Sequence, residues 1–498
     1  MKALLKEMPQ QAELPDIRQE PESPASFWSL VVAAILALFY LATSIYISSH
    51  RLFWYDEIVT HNIATLHDYR TIWSAVTHGV DGGSPVYDVV ARLAYQLFGT
   101  RDIAARLPSV FAMVAGMLIV FDCARRLTNA LHGLIAFAVL TCSFLPYYGH
   151  EARAYAIFFM LAAMALWVWV NTREESKPAA ALFGAVLFLA VAMHYYAILC
   201  LVPYGVWEIY RWRPWQRPSA KFIAGVVGAV AGLVLLLPAI FSFMHLAVAY
   251  NPWSPTSFDR MRELLAVFFP DGLWLLALIA IWIALAKPKD KTIALEPMAG
   301  GEIVGWLFLC IPLAGFIAAE LKTNSFSGRY FIGTLPGVAV AFSCVIWRHF
   351  RQAQRVSIGV LAILLTYGVA KQAAETRHPD HGFYSPVRQM LSVEDSSRKD
   401  GKQFFALCNQ SRYWEAYHSS KHPEQYTFLA SMDSGDLRLT DNFSRYVPVQ
   451  VWTMDDLKNH ARETALILPH QRLLNYLKQA GFQVEVRSSS PVLVVYLK

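Results

Sequence analysis

"SFWSLVVAAILALFYLATSIYISSHRLFWYDEIVTHNIA", residues 26–64, begins as a membrane segment and ends as something else. From Phe27 to Ser49 it carries no charged side chain, and about 20 apolar residues of helix cross a hydrocarbon core of ~30 Å. Just past that run stand two adjacent carboxylates, Asp56 and Glu57, hemmed in by Phe53, Trp54 and Tyr55. A chain that leaves a bilayer with two acids among aromatic rings needs a reason to keep them there.

The rest of the chain has the same cast. Of 498 residues, 55% are hydrophobic and 16% charged, against about 25% charged in soluble domains. An aromatic share of 14% suits a protein whose Trp and Tyr line membrane interfaces. This is the composition of a polytopic membrane protein. Six cysteines without a CxxC spacing offer neither a zinc ribbon nor a disulfide framework. The net charge of +6 is explained by basic membrane loops, so no nucleic-acid partner is implied.

Residues 1–25 contain Pro9, Pro15, Pro21 and Pro24. They lack the layout of a cleaved signal peptide and read as a disordered cytoplasmic leader. Beyond them the 20-residue ruler gives about 11 transmembrane helices. The first is near 26–49. The others are near 106–124, 131–149, 154–171, 179–195, 196–211, 221–244, 264–286, 303–321, 330–347 and 356–372. Basic residues concentrate in cytoplasmic loops. With the leader in the cytoplasm, the clusters Arg125-Arg126, Arg173 with Lys177, Arg211-Arg213-Arg217-Lys221, Lys287-Lys289-Lys291 and Arg348-Arg351-Arg355 all fall on that side. The count needs "HYY", His194 to Tyr196, as a tight outer turn.

Asp56-Glu57, the segment 52–105 and everything after about 373 then lie outside. In the outer segment, residues 56–75 are helical in pattern. "SPVYDVVARLAYQLFG", Ser84 to Gly99, puts Val86, Val89, Val90, Leu93 and Leu97 on one face and Asp88 and Arg92 off it. Such amphipathic helices can lie in the membrane interface. Residues 373–498 are polar, with strand-like runs at 403–407, 447–452, 465–468, 482–486 and 491–497 and a helix over 470–481 that ends on Gly481. They read as a small extracytoplasmic α/β domain. The catalytic module is then 26–372.

Polar residues gather at the outer ends of the spans: Asp56 and Glu57, His78 and Asp81, His150, Glu151 and Arg153 of "HEARAY", His194 and Tyr195, and Arg329-Tyr330 of "SFSGRY". If the bundle closes, they ring one outward-facing cavity. Singly, each has a structural reading: Asp56 as a solvated helix N-cap, Glu151 with Arg153 as a local salt bridge, His194 as a hydrogen-bonded interfacial histidine, Arg329 as an outer-face anchor. Together they suit transfer from a lipid-linked phosphate. An arginine fork grips phosphate. A carboxylate whose pKa a neighbouring acid raises can take a proton from a hydroxyl. The chemistry requires no cofactor. If a divalent metal ion takes part, Asp56 and Glu151 are the oxygen ligands to hold it.

"WYDEIVTHNIA" (54–64), "GGSPVYDVVARLAYQLFGTRDIAARLPS" (82–109), "HEARAYAIFFM" (150–160), "AVAMHYYAILCL" (190–201) and "GRYFIGTLPG" (328–337) resemble, in order, the landmarks of GT-C glycosyltransferases. The branch they look like is the protein-mannosyltransferase-like and aminoarabinose-transferase-like one. The resemblance implies a polyprenyl-phosphate sugar donor and transfer with inversion. It implies Asp56 as catalytic base with Glu57 beside it, Glu151 as the second acid, and Arg329-Tyr330 at the donor phosphate; the other polar residues at the span ends, Arg153, His150, His194, Tyr195, His78 and Asp81, are expected around donor and sugar. The acceptor would be an envelope glycan, a lipid of the lipid A type, or a protein, at the outer face of the inner membrane. The aminoarabinose branch has a lysine before a double proline. This chain reads "DGGSPVY" there, leaving His78, Arg92 or Arg153 to supply the cation. Two other readings are a flippase for a lipid-linked sugar, which would want midplane charges and repeated halves, and an envelope scaffold without catalysis.

Overall fold

The computed structural model describes residues 24–211, 217–247, 256–286, 298, 300–323, 326–379, 385–430, 445–447, 449–489 and 492–498. The expected leader lies outside the described residues except for Pro24 and Ala25, which begin the first helix. Arg213, Lys287, Lys289, Lys291 and Ser325 lie outside them too.

In chain order the helices are α1 Pro24–His50, α2 Tyr55–Ala64, α3 Tyr69–Thr77, α4 Pro85–Phe98, α5 Asp102–Leu127, α6 Ala130–Cys142, α7 Leu145–Gly149, α8 Tyr155–Asn171, α9 Lys177–Met193 and α10 Leu201–Arg211. There follow α11 Ala220–Ala247, α12 Phe258–Phe268, α13 Gly272–Ala286, α14 Gly300–Leu307, α15 Cys310–Ala318, α16 Leu335–Phe350, α17 Gln354–Arg377, α18 Ser385–Lys399, α19 Gln410–Ser419, α20 Met454–Asn459 and α21 Gln471–Gln479. Among the described residues, six stretches are long and apolar enough to cross a membrane: Phe27–His50, Asp102–Leu127, Ala220–Ser242, Gly300–Lys322, Gly328–Phe350 and Gln354–Arg377. Four shorter apolar helices, α6, α8, α9 and α13, stand where further spans were expected.

The expected span 196–211 is a different object. Tyr195–Cys200 is a 3-10 turn, and α10 after it has only 11 residues. His194, extended at φ −155° and ψ 113°, breaks the chain between α9 and that turn. Near 264–286 the chain is likewise divided, between α12 and α13 at Pro270, since proline cannot donate to the helical ladder.

The chain divides into two compact units. One takes in the described residues up to Ile45, of Leu107–Leu237 and of Pro252–Thr376. The other takes in those of Tyr46–Arg106, Pro238–Asn251 and Arg377–Lys498.

In the first unit, glycines let helices touch backbone to backbone. A Cβ on Gly228 of α11 would overlap the carbonyl of Gly184 of α9, and one on Gly184 would stand 2.7 Å from the carbonyl O of Ala224. Small residues at such crossings drive helix association in lipid. Gly228→Ala gains about 1 kcal/mol of helix propensity, but an added group in a packed interface costs about 1–3 kcal/mol. Backbone cannot swing aside as a side chain can, so the overlap wins. The variant is expected to melt earlier in detergent, and an equal or higher midpoint would refute the crossing.

In the second unit the C-terminal residues form one six-stranded sheet of order β3-β2-β1-β4-β6-β5. Its strands are β1 Phe404–Leu407, β2 Tyr426–Leu429, β3 Val451–Trp452, β4 Thr464–Ile467, β5 Val484–Ser488 and β6 Val494–Leu497. β1 to β4 run parallel, and β6 lies antiparallel to β4 and β5. The short runs FFAL, YTFL and TALI are nearly fully buried, as parallel strands covered on both faces are. Leu473 and Leu477 of α21 join Leu466 and Val495 in the core. Gly481, at φ +91°, follows that helix, where a glycine meets no Cβ penalty. β2 was not expected from the sequence.

Residues 56–75 form two helices, α2 and α3, and Asp68 caps the second by accepting the N–H of Thr71 at 2.7 Å. On α4 the amphipathic pattern is present with its sense reversed. Asp88, Ala91, Ala94 and Tyr95 are buried, whereas Leu93 is 45% and Leu97 75% exposed. An apolar face left open is what a helix lying in the interface presents to lipid.

Candidate functional site

The acidic pair stands in the first turn of α2, not at its cap. The N-cap is Trp54, extended at φ −98° and ψ 171°. Carboxylates are favoured in the first turn because the N-terminus carries partial positive charge. Neither acid is solvated: Asp56 is 6% exposed and Glu57 fully buried. The reading of Asp56 as a solvated N-cap is therefore corrected.

Glu57 is committed. Its Oε2 accepts the N–H of Trp54 at 3.4 Å. Both oxygens accept from Arg106, Oε1 from Nε at 2.7 Å and Oε2 from Nη2 at 2.6 Å. Arg106 is fully buried as well. Its Nη1 donates to the carbonyls of Ser48 at 2.8 Å and Arg51 at 2.6 Å, and its Nη2 to that of Leu52 at 2.9 Å. Carbonyls at a helix C-terminus have no partner within the helix, so one guanidinium closes the end of α1 and grips the start of α2. It also lies 4.7 Å from the ring centre of Phe53. Sequence reading missed Arg106. The available signal was a lone arginine in the apolar stretch "DIAARLPSVFAMV", since a charge that packs inward needs a partner.

On the same helix, His61 Nδ1 meets the Tyr95 hydroxyl at 2.7 Å. Burial, with help from the nearby His418, pushes the His61 imidazole down to about 4. It is therefore neutral at pH 7. His78 is exposed at the end of α3, and its Nδ1 donates to the Ser74 carbonyl at 2.6 Å. Asp81 is half-buried in the following turn. Arg92 is spent on the carbonyls of Leu66 and, at 2.8 Å, His67.

The remaining candidates belong to the first unit. His150 is fully buried, with Nε2 2.9 Å from Ser44 Oγ and Nδ1 3.6 Å from Glu375, which ties it to α1 and α17. Glu151 is 2% exposed, and the carbonyl of Arg153 accepts from Ser109 at 3.0 Å. His194 lies in a cage of rings. It stacks on Phe158 at 5.4 Å and Tyr195 at 5.4 Å, and meets Tyr330 at 5.7 Å. Arg329 lies 5.7 Å from the rings of both Tyr155 and Tyr330, close enough for cation–π attraction. The charges of Arg153 and Arg329 both reach His194, and Tyr148 feels both Glu151 and Arg329. Glu151, Arg153, His194, Tyr195, Arg329 and Tyr330 are thus neighbours. Among the described residues, no group of three or more His, Cys, Asp or Glu is gathered as metal ligands.

Comparison with known proteins finds a family match over part of the chain and a shared fold over most of it. Residues 82–241 match the family described as dolichyl-phosphate-mannose-protein mannosyltransferase, and the fold is similar to that of a solved structure over nearly the whole length of both chains. The family match spans about a third of the chain, and the described helices include six stretches long and apolar enough to cross a membrane. The particular proteins it resembles are two crystal structures of ArnT from Cupriavidus metallidurans. In the apo state, ArnT is 12% identical, with 95% of this chain and 98% of that chain covered at a TM-score of 0.62. Bound to undecaprenyl phosphate, it is 13% identical, with the same coverage and a TM-score of 0.59. At such identity the likeness is one of fold. No curated protein matches the chain by sequence.

Proposed function

We propose that the chain moves a sugar from a polyprenyl-phosphate donor to a hydroxyl on the outer face of the membrane, inverting the anomeric carbon. The observation that supports the base assignment is the place of Asp56 in the first turn of α2, directly before Glu57, whose carboxylate is paired with Arg106. The acceptor O–H gives its proton to Asp56. Its oxygen bonds to the anomeric carbon as the bond from that carbon to the phosphate oxygen breaks. The electron pair leaves with the polyprenyl phosphate, whose charge Arg329, aided by Arg153, stabilises. Tyr195 and Tyr330 offer ring faces to the sugar, and Glu151 is the second acid. Residues 26–372 form the catalytic module, with 52–105 as its first outer loop, and 373–498 the extracytoplasmic α/β domain. The N-terminus lies on the cytoplasmic side. An envelope glycan or lipid is favoured as acceptor over protein Ser or Thr.

Mass spectrometry of envelope lipids and glycans from a deletion strain tests the reading. One missing sugar identifies donor and acceptor together. An unchanged profile, with no transfer by the purified protein from polyprenyl-phosphate sugars, overturns it. Arg329→Ala is expected to weaken donor binding by about tenfold to a hundredfold, the worth of one charge-assisted contact of about 1.5–3 kcal/mol. Arg329→Lys restores only part of it, because an ammonium lacks the planar fork. Wild-type donor affinity in Arg329→Ala refutes the phosphate role.

A further inference from the structure

The C-terminal domain enters no step above, yet one of its helices is built onto the acidic helix. α19 follows β1 and packs along α2. Its back is anchored in the domain, with Tyr413 and Trp414 almost fully buried and Tyr413 5.8 Å from Phe428 of β2. Its front carries Glu415 and His418, one helical turn apart.

Glu415 is 4% exposed and lies 2.6 Å from Arg412 on its own helix. The backbone N–H of Tyr55, the first residue of α2, acts on its carboxylate and favours the charged form. That donor is one of those a helix leaves unpaired at its N-terminus. Two acids therefore face the start of α2: Glu57, which accepts the N–H of Trp54, and Glu415, on which the N–H of Tyr55 acts. The next residue is Asp56. His418 holds a second point. Its ring stacks on Phe53 at 5.3 Å and meets His61 edge-on at 4.8 Å. Its Nε2 lies 3.3 Å from Asp102. Phe53 precedes α2 and His61 lies in its last turn, so one imidazole touches both ends of the helix. Burial holds the Glu415 carboxyl above its ordinary range, Arg412 pulls it back, and the charge of Asp56 also reaches it.

We propose that α19 is a positioning element for Asp56: Glu415 and His418 set the start and rotation of α2, and through it the aim of the Asp56 carboxylate. The C-terminal domain then serves the reaction without touching the donor. This rests on the reading of Asp56 as the base. A misplacement of about 1 Å at a reacting group is enough to cost about a hundredfold in rate.

The test uses the full-length protein with a radiolabelled polyprenyl-phosphate sugar. Glu415→Ala and His418→Ala are expected to lower kcat about tenfold to a hundredfold, with donor KM and donor binding unchanged. Glu415→Gln keeps an oxygen for the Tyr55 N–H and is expected to recover most of the rate. Wild-type kcat in both alanine variants, or losses of donor binding that parallel kcat, overturn the proposal. If Glu415→Ala does not fold, His418→Ala and His418→Asn decide by the same comparison. Asp56→Asn is assayed alongside. Should it transfer normally, the base reading itself fails. Should it be inactive while the α19 variants are normal, only the positioning role fails.

Discussion

Asp56→Asn is expected to cut the transfer rate by about two to four orders of magnitude, the usual contribution of a general base, with donor affinity little changed. The substitution keeps volume and shape, so the first turn of α2 stays formed. It loses the favourable placement of an anion at a helix N-terminus, about 0.3–1 kcal/mol, which is too small to unfold the protein. What it removes is the atom that takes the proton. Glu57→Gln serves as the contrast. Glu57 faces a buried guanidinium, so its loss of charge is expected to appear in stability first. Full turnover by Asp56→Asn would sink the base assignment.

Arg106→Met is expected to be the most destabilising single change in the second unit. Both side chains of the Arg106–Glu57 pair are fully buried. Removing one partner of such a pair leaves an unpaired charge in a dry site, at about 3–5 kcal/mol. The carbonyls of Ser48, Arg51 and Leu52 lose their donor in the same stroke, and an orphaned buried acceptor costs about 1–3 kcal/mol. Against a total stability of about 5–15 kcal/mol for a domain, that is most of the margin. Arg106→Met with Glu57→Leu is expected to recover part of the loss, because an apolar pair carries no desolvation penalty. Recovery stays partial, since no apolar partner satisfies three carbonyls. Thermal midpoints in detergent for the two single variants and the double give the coupling directly. If Arg106→Met melts with the wild type, the clamp is not what fastens α1 to α2.

Much of the bundle was legible in the sequence because burial in lipid demands long apolar runs, and composition alone reveals those. The departures have particular causes. The break expected at His194 is there, but within 196–211 the first turn is 3-10 and the α-helix after it has only 11 residues, a winding that an apolar run does not reveal. β2, YTFL, was not picked out in the sequence, and it is a strand because β1 and β3 flank it. On α4 the apolar stripe was placed correctly, but an apolar stripe does not say whether it meets protein or lipid. The structure buries the stripe that carries Asp88 and Tyr95.

The same limit governs the site. The sequence by itself determined that two acids follow the first span, that arginine, histidine and tyrosine recur at other span ends, and that their order resembles one superfamily. It could not say which acid pairs with Arg106, for adjacent carboxylates are chemically alike. Consecutive helical residues point about 100° apart, so only one of them can face a given neighbour. Tertiary structure made that choice by bringing Arg106, 49 residues away, to Glu57, and α19, which begins at Gln410, to Tyr55 and Phe53. A buried charge has to be paired and a helix N-terminus has to be capped. Which side chains meet those needs depends on contacts that no local stretch of sequence contains.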